Sequence, residues 1–317
     1  MGNFPETFAS IIVCTYNPPK KRLENVLKSI LKQEIFSCEI IVIDNNSTNT
    51  EPENVVKKLN AEYNDSIILI KEKKQGLAFA RLCGVKSSKG DWIVFVDDDN
   101  LIDENYIKNL KEIQSKIADC DCWGPGTINV TLEGPVDSFI KKYCKSYFQQ
   151  RQIKGSPHDK SKKWKEFYPT GSGMCVKRNS FLSYAKKFED GKINLTGRKL
   201  TELSSGEDAQ IIFSCIQDGK KVGASENLKL NHIINFERCN LTYLKKLNYS
   251  VSRDFYLSKF EIFNDTKIFE EQPGFKLKVK LFLKSILRSF PNILSAIKLF
   301  QIEKEWINGY NAAKKLH

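Results

Sequence analysis

In the stretch WIVFVDDDN, Trp92 to Asn100, five apolar residues run directly into three aspartates. Adjacent carboxylates repel, and a carboxylate at the edge of an apolar core is costly unless something compensates it. A solvated acidic turn rarely follows a fully apolar strand. A calcium loop of the EF-hand type fails as well: Leu101 falls where a third ligand should stand, and no glycine follows. What remains is a divalent cation held by one or two carboxylates and by substrate phosphates, which suits Mg²⁺ or Mn²⁺. Asp97 and Asp99 are two apart and share a side of an extended backbone, so Asp98 is expected to point away and to tolerate change best. A second acidic pair, Glu207-Asp208 in GEDAQ, opens a helical pattern, where acids are favoured by the helix dipole.

The elements around these acids alternate in type. SIIVCT (Ser10–Thr15), EIIVID (Glu39–Asp44), SIILIK (Ser66–Lys71) and DWIVFV ahead of the aspartates read as buried strands. Between them stand helical patterns: Lys20–Gln33, with Leu23, Val26, Leu27, Ile30 and Leu31 on one face, a shorter one through Leu59, and Gly76–Gly90. Strand, helix, strand with short connections implies parallel strands and right-handed crossovers. Ligands in such sheets bind beyond the carboxyl ends of the strands. The polar ends Thr15–Asn17, Asp44–Ser47 and Asp97–Asp99 therefore gather on one rim. Asp103–Ala118 reads as a further amphipathic helix, and YPTGSGMCVKR (Tyr168–Arg178) carries glycines that let backbone approach a ligand. Residues 141–166, basic and aromatic, read as a mobile loop or lid that binds the acceptor or contacts phosphate, or else as a solvated face.

Four of these pieces together resemble family 2 glycosyltransferases with the GT-A fold: SIIVCTYN, IIVIDNNSTN, GLAFARLCGVKSSKGDWIVFVDDDN and GEDAQ, in order and with the family's rough spacing, over about residues 8–235. The resemblance implies an α/β fold with a central, mostly parallel, Rossmann-like sheet. It divides the chain into a GT-A domain over 1–235 and a helical, basic region over 236–317. It also implies roles. Thr15, Tyr16, Asn17, Asp44 and Arg81 would bind the nucleotide of a nucleotide sugar, with Asp44 reaching the base, usually uracil in this family. Asp97 would contact the ribose or the metal, Asp98 belongs to the same donor-binding turn, and Asp99 would hold Mn²⁺ or Mg²⁺ on the diphosphate with His232. Asp208 would be the catalytic base of an inverting transfer, with Glu207 beside it. One position departs from the family pattern: Leu82 follows Arg81 where asparagine is common, and leucine donates no side-chain hydrogen bond.

Two other classes compete. A nucleotidyltransferase shares the α/β fold and the metal but needs a glycine-rich phosphate loop near the first strand, and TYNPPKKR has no glycine. A non-catalytic basic membrane- or anion-binding protein fits the net charge of +12. The acidic set argues against it, and against nucleic acid as a partner, because carboxylates repel phosphates unless a metal intervenes.

Bulk composition agrees with a globular enzyme of 317 residues, 41% hydrophobic and 28% charged. Nine scattered cysteines form no zinc-site spacing and read as reduced, cytosolic thiols. The opening MGNFPE has no secretory pattern, and Glu6 stands where myristoylation wants Ser or Thr. No stretch reaches the ~18 apolar residues of a spanning helix. Residues 275–300 mix Leu, Ile and Phe with lysines and are broken at Pro291. That profile fits a helix lying in a membrane interface, or a core-packing pair with snorkelling lysines. The expected location is cytoplasmic, peripheral at the inner face of the membrane, with a glycan or lipid-linked acceptor.

Overall fold

The computed structural model describes residues 7–33, 37–64, 66–193, 203, 206–270 and 275–316. The MGNFPE opening, and Ser204 and Ser205 ahead of GEDAQ, lie outside the described residues.

The first half of the chain builds parallel strands with covering helices. In order they are β1 (Ala9–Thr15), α1 (Lys20–Leu31), β2 (Cys38–Asp44), α2 (Glu51–Glu62), β3 (Ile67–Lys71), α3 (Leu77–Lys86) and β4 (Trp92–Asp97). The strands line up as β3-β2-β1-β4, all parallel, with Ile11 opposite both Ile40 and Val94. The runs of β1, β2 and β4 are buried on both faces, which is why they read as unbroken apolar stretches rather than alternating ones; β3, at the sheet edge, exposes Ile68. One face packs on α1 and α2 through Leu23, Leu27, Val55 and Leu59. The other carries Ile12, Ile43 and Phe95 against α3 and later helices. Because the register sets Thr15 beside Asp44 and Cys14 beside Asp97, the polar strand ends emerge on one edge.

The second half extends the sheet with mixed pairing. It holds β5 (Asn100–Ile102), α4 (Tyr106–Lys116), β6 (Cys120–Leu132), α5 (Ser138–Tyr143), a 3₁₀ turn (Lys145–Phe148), β7 (Arg151–Gln152), β8 (His158–Asp159), β9 (Cys175–Lys177), α6 (Arg178–Glu189), α7 (Glu207–Gln217) and β10 (Lys221–Ile234). The long strands β6 and β10 are parallel, while β9 runs antiparallel between β4 and β6. β5 pairs antiparallel with β10 and sets His232 opposite Asn100, next to the acidic turn.

Residues 141–166 differ from the expected mobile loop. β7 pairs with β6 and β8 with β10. Arg151 donates to the carbonyls of Pro125 and Tyr168. Trp164 packs edge-on against Tyr168, Phe213 and Phe255. Lysine-rich composition suggested a solvated segment, but its aromatic residues anchor it.

A 3₁₀ turn (Phe236–Arg238) leads into α8 (Leu241–Phe263), α9 (Phe275–Ser289) and α10 (Ile293–Leu316). α10 lies along α8, and Leu244, Leu299 and Ile302 share a core with Val130 and Ile234 at the ends of β6 and β10. Among the described residues, no helix is long and apolar enough to cross a membrane.

α3 lies unusually close to the sheet because Gly84 has no side chain. A Cβ there would come within 2.6 Å of Ile12 Cγ2. Gly84→Val is expected to push α3 outward and to cost about 1–3 kcal/mol through overpacking. A thermal melt reads this as a midpoint lower by several degrees, and an unchanged midpoint would show that the gap is not needed.

Candidate active site

A cavity of about 670 Å³ opens over the carboxyl edge of the strands. Thr15 and Tyr16 after β1, Asn45 after β2, and Asp97, Asp98 and Asp99 after β4 line it. Arg81 on α3, the Thr170–Ser172 loop, Glu207 and Asp208 at the start of α7, and His232 on β10 complete the polar wall.

The chain turns at Asp98 and Asp99, so strand alternation ends there and all three aspartates face the cavity. Asp98 is therefore not the outward-pointing bystander that alternation predicts. It accepts a hydrogen bond from Thr15 Oγ1 at 2.5 Å. Burial, and then the Asp99 carboxylate beside it, push its carboxyl up to about 7, against the opposing pull of the Thr15 hydrogen bond. Asp99 is 6% exposed. Its Oδ2 accepts from Arg238 Nη1 at 3.0 Å, and its Oδ1 lies 3.5 Å from His232 Nε2. His232 Nδ1 is 3.0 Å from the Phe148 carbonyl. A carbonyl only accepts, so Nδ1 donates to it, and Nε2 faces the acidic turn; burial works against the charged ring, but the Asp99 carboxylate and the Phe148 carbonyl raise its pKa above the ordinary histidine value.

On the far side of Asp97 stands Arg81, 2% exposed and stacked 4.9 Å above the Phe95 ring. Its Nη2 is 3.6 Å from Asp97 Oδ1, and its Nη1 is 3.5 Å from Glu207 Oε2. Glu207 is 1% exposed, and neither of its carboxylate oxygens has a hydrogen-bond partner among the described residues. Burial raises its carboxyl to about 7, Arg81 opposes the rise, and Asp208 and Asp97 add to it. Asp208, the next residue, is half-buried, and its Oδ2 accepts the Gly171 N–H at 2.9 Å. That contact exists because Gly171 has no side chain: a Cβ would meet Asp208 Oδ2 at 3.1 Å and Arg81 Nη2 at 3.2 Å. The glycine allows backbone to approach the acidic pair, whereas the sequence suggested approach to a ligand.

Two expected residues serve the loops and do not line the cavity. Asn17, at φ 47°, accepts from the Thr48 N–H through Oδ1, while its own N–H donates to Ser47 Oγ. Asp44, 2% exposed, accepts the Ser47 N–H at 2.9 Å and has Lys71 Nζ at 3.8 Å. Together they tie the β1 and β2 ends together. Asn45, next to Asp44, is the one in the wall. It accepts from Gly76 N and donates to the Lys74 carbonyl, bracing the start of α3. Sequence reasoning also missed Arg238, and the apolar wall of Tyr147, Phe148, Trp164, Leu247, Val251 and Phe255. The only signal for that wall was the aromatic content of residues 141–166 and the i, i+4, i+8 spacing of the α8 residues.

The donor set fits a divalent cation in part. Two carboxylates and an imidazole suit Mn²⁺ or Mg²⁺. Yet among the described residues no three His, Cys, Asp or Glu are grouped closely enough to hold a metal ion by themselves. Asp97, Asp99 and His232 would hold one side of the ion, and substrate oxygens and water the rest. Arg238 would have to yield on Asp99.

Comparison with known proteins follows this geometry. Residues 10–183, more than half of the chain, match the family model described as Glycosyl transferase family 2. Over 111 residues the chain is 36% identical to the glycosyltransferase GlyG of Streptococcus pneumoniae, covering 35% of this chain and 36% of the relative. It is 33% identical over 107 residues to the poly(ribitol-phosphate) β-N-acetylglucosaminyltransferase TarP of Staphylococcus aureus, covering 32% of this chain and 31% of that one. The chain thus spans about a third of these relatives. A solved structure of GalNAc-T7 with UDP, GalNAc and Mn²⁺ superposes over 95% of this chain and 55% of that one, at a TM-score of 0.55 and 15% identity, which shows a shared GT-A fold.

The raised Glu207 carboxyl has a stability consequence with a definite sign. Its pKa is about 7 in the fold against an ordinary 4.5, so the native state binds the extra proton between those values. Its contribution is fully present below about 4.5 and is lost as pH rises through about 7. In urea titrations the stability of the wild type relative to Glu207→Gln should fall across that window. A difference that stays flat or grows with pH would contradict the burial of an ionisable acid there.

Proposed function

The chain belongs to glycosyl transferase family 2, and from that premise we propose that it moves a sugar from a uridine-diphosphate sugar to a hydroxyl of a glycan acceptor, inverting the anomeric centre. The observation that carries this reading is the shared cavity. One buried arginine touches Asp97 of the acidic turn and Glu207 beside Asp208, so a cation-seeking turn and an acidic pair flank the same space.

Each residue then has work suited to its surroundings. Thr15, Tyr16 and Asn45 receive the nucleoside, with Asn17 and Asp44 fixing the loops beneath them. Asp99 and His232, with Asp97 beside them, would hold Mn²⁺ or Mg²⁺ together with the substrate's phosphates. When bound, that ion neutralises the charge left on the departing diphosphate without any proton transfer. The UDP and Mn²⁺ held by GalNAc-T7, which shares the fold, are in keeping with this choice.

Asp208 takes the acceptor proton. Gly171 N–H fixes its Oδ2, which leaves Oδ1 to accept from a hydroxyl within ~3 Å. Arg81 pairs with Asp97 and Glu207 and holds the acidic groups by charge. Glu207, deeper than Asp208 and harder to ionise, positions the base and does not compete for the proton. Direct attack by the acceptor inverts the centre, so a single base suffices and no protein nucleophile is required. The apolar wall of Trp164, Val251 and Phe255 is the acceptor side, where flat aromatic faces receive sugar C–H surfaces.

Asp208→Asn keeps the Gly171 hydrogen bond and removes the base. Transfer should fall about 10²–10⁴-fold, while calorimetric binding of UDP is unchanged. Full turnover by the folded variant would remove Asp208 from the mechanism.

A further inference from the structure

The hairpin of α9 and α10 is inverted in polarity. Among the described side chains of α9 the buried ones are Ser285 and Ser289, each 1% exposed. Their hydroxyls are satisfied within the helix, by the carbonyls of Leu281 and Ser285. The residues facing outward are Leu283 at 54%, Leu287 at 81% and Phe290 at 81%. The start of α10 repeats the pattern: Ser295 and Ala296 are buried, while Ile293 and Leu294 are exposed at 74% and 72%. A helix in water turns its leucines to the protein and its serines to solvent. A contiguous apolar patch on the outside marks a surface made for an apolar neighbour.

Charge identifies the neighbour. Residues 275–300 contain lysines and an arginine but no aspartate or glutamate. Lys278, Lys280 and Lys284 are exposed on α9 and Lys298 on α10. Lys298 lies 5.2 Å above the Phe139 ring of α5, where Lys141 and Lys142 extend the basic rim. Arg288 is held apart from this set by Glu303. A second copy of the chain docked by this face would bring two basic rims together with no acid between them. An anionic bilayer offers both an apolar interior for the leucines and phosphates for the lysines.

We propose that the tip of the α9–α10 hairpin is a docking surface for an anionic lipid bilayer. Leu287, Phe290, Ile293 and Leu294 enter the headgroup boundary, and the surrounding lysines meet lipid phosphates. The surface is coupled to the cavity. Glu303 on α10 accepts from Arg288 of α9 and from Tyr147 Oη, each at 2.8 Å, and Tyr147 lines the cavity wall. Docking therefore brings the acceptor wall toward the bilayer, so the acceptor is a glycan carried on a lipid. That consequence rests on the transfer reaction proposed above, whereas docking itself does not.

The test is co-sedimentation of the full chain with vesicles of equal parts phosphatidylglycerol and phosphatidylcholine, against phosphatidylcholine alone. The wild type should pellet with the anionic vesicles and stay in solution with the neutral ones. Leu287→Ser/Phe290→Ser changes only solvent-exposed positions and should weaken binding about tenfold. Lys280→Glu/Lys284→Glu should do the same through charge. Circular dichroism confirms folding, and hydrolysis of a nucleotide sugar in free solution should be unchanged in both variants. Equal pelleting of wild type and both variants, or no pelleting of the wild type, overturns the proposal. So does a wild-type dimer in sedimentation velocity that the apolar variant dissolves, because the face would then belong to a second copy. Intact docking without any nucleotide-sugar hydrolysis would fault the transfer reaction and leave the surface standing.

Discussion

The site depends on one guanidinium. Arg81 is buried on the Phe95 ring, with Asp97 on one side and Glu207 on the other. Without it, acids from two distant parts of the chain would share a closed space, and each would disfavour ionisation of the next. Removing one member of a buried charged set leaves an uncompensated charge, which costs more than the pair itself contributes. Arg81 therefore sets the spacing of the acids on either side of it. Even with it in place, Glu207 and Asp98 remain pushed up to about 7. Arg81 and Arg238 stand among five carboxylates, Asp97, Asp98, Asp99, Glu207 and Asp208, and on the proposed reading the cation that accompanies a diphosphate adds to them.

The fold exists to deliver these groups to one place. Parallel strands bring Thr15, Asp44 and Asp97 to a common edge by register alone. α3 can carry Arg81 over that edge because Gly84 lets it lie against Ile12. The antiparallel pairing of β5 with β10 then folds His232 back beside Asp99. α8 closes the cavity from outside the matched family region and supplies an apolar face. Gln210 Nε2 on α7 donates to Glu261 of α8, so the base helix and the acceptor wall are fastened together.

Much of this was legible in the sequence, for physical reasons. A doubly covered strand must be apolar throughout, so the first four strands declared themselves, and their polar ends marked the rim. The helix starting at Glu207 was visible because acids suit that terminus. What failed did so at turns and at long range. Strand alternation predicted that Asp98 points away, but the chain turns at that residue and bonds it to Thr15. Asn17 and Asp44 were expected at the nucleotide, and they stand just outside the cavity lining, accepting hydrogen bonds from loop backbone. Arg238 lies 139 positions from Asp99, and nothing local to it announces the pairing. Residues 141–166 were expected as a mobile loop because composition records lysines but not the partners that pin Trp164 and Arg151; their aromatic residues do line the cavity. At the C-terminus α10 packs on α8, as the core-packing reading has it, while its first turn and α9 present leucine to the outside.

The central claim is that the acidic turn is a seat for a cation bridging to a diphosphate. Calorimetric titration of UDP into the wild-type chain, with Mn²⁺ present and after its removal by chelator, tests it most directly. The account predicts binding in the presence of Mn²⁺ and affinity at least about tenfold weaker without it, since the diphosphate would then meet the acidic turn with no divalent cation between them. Equal affinity under both conditions would contradict it.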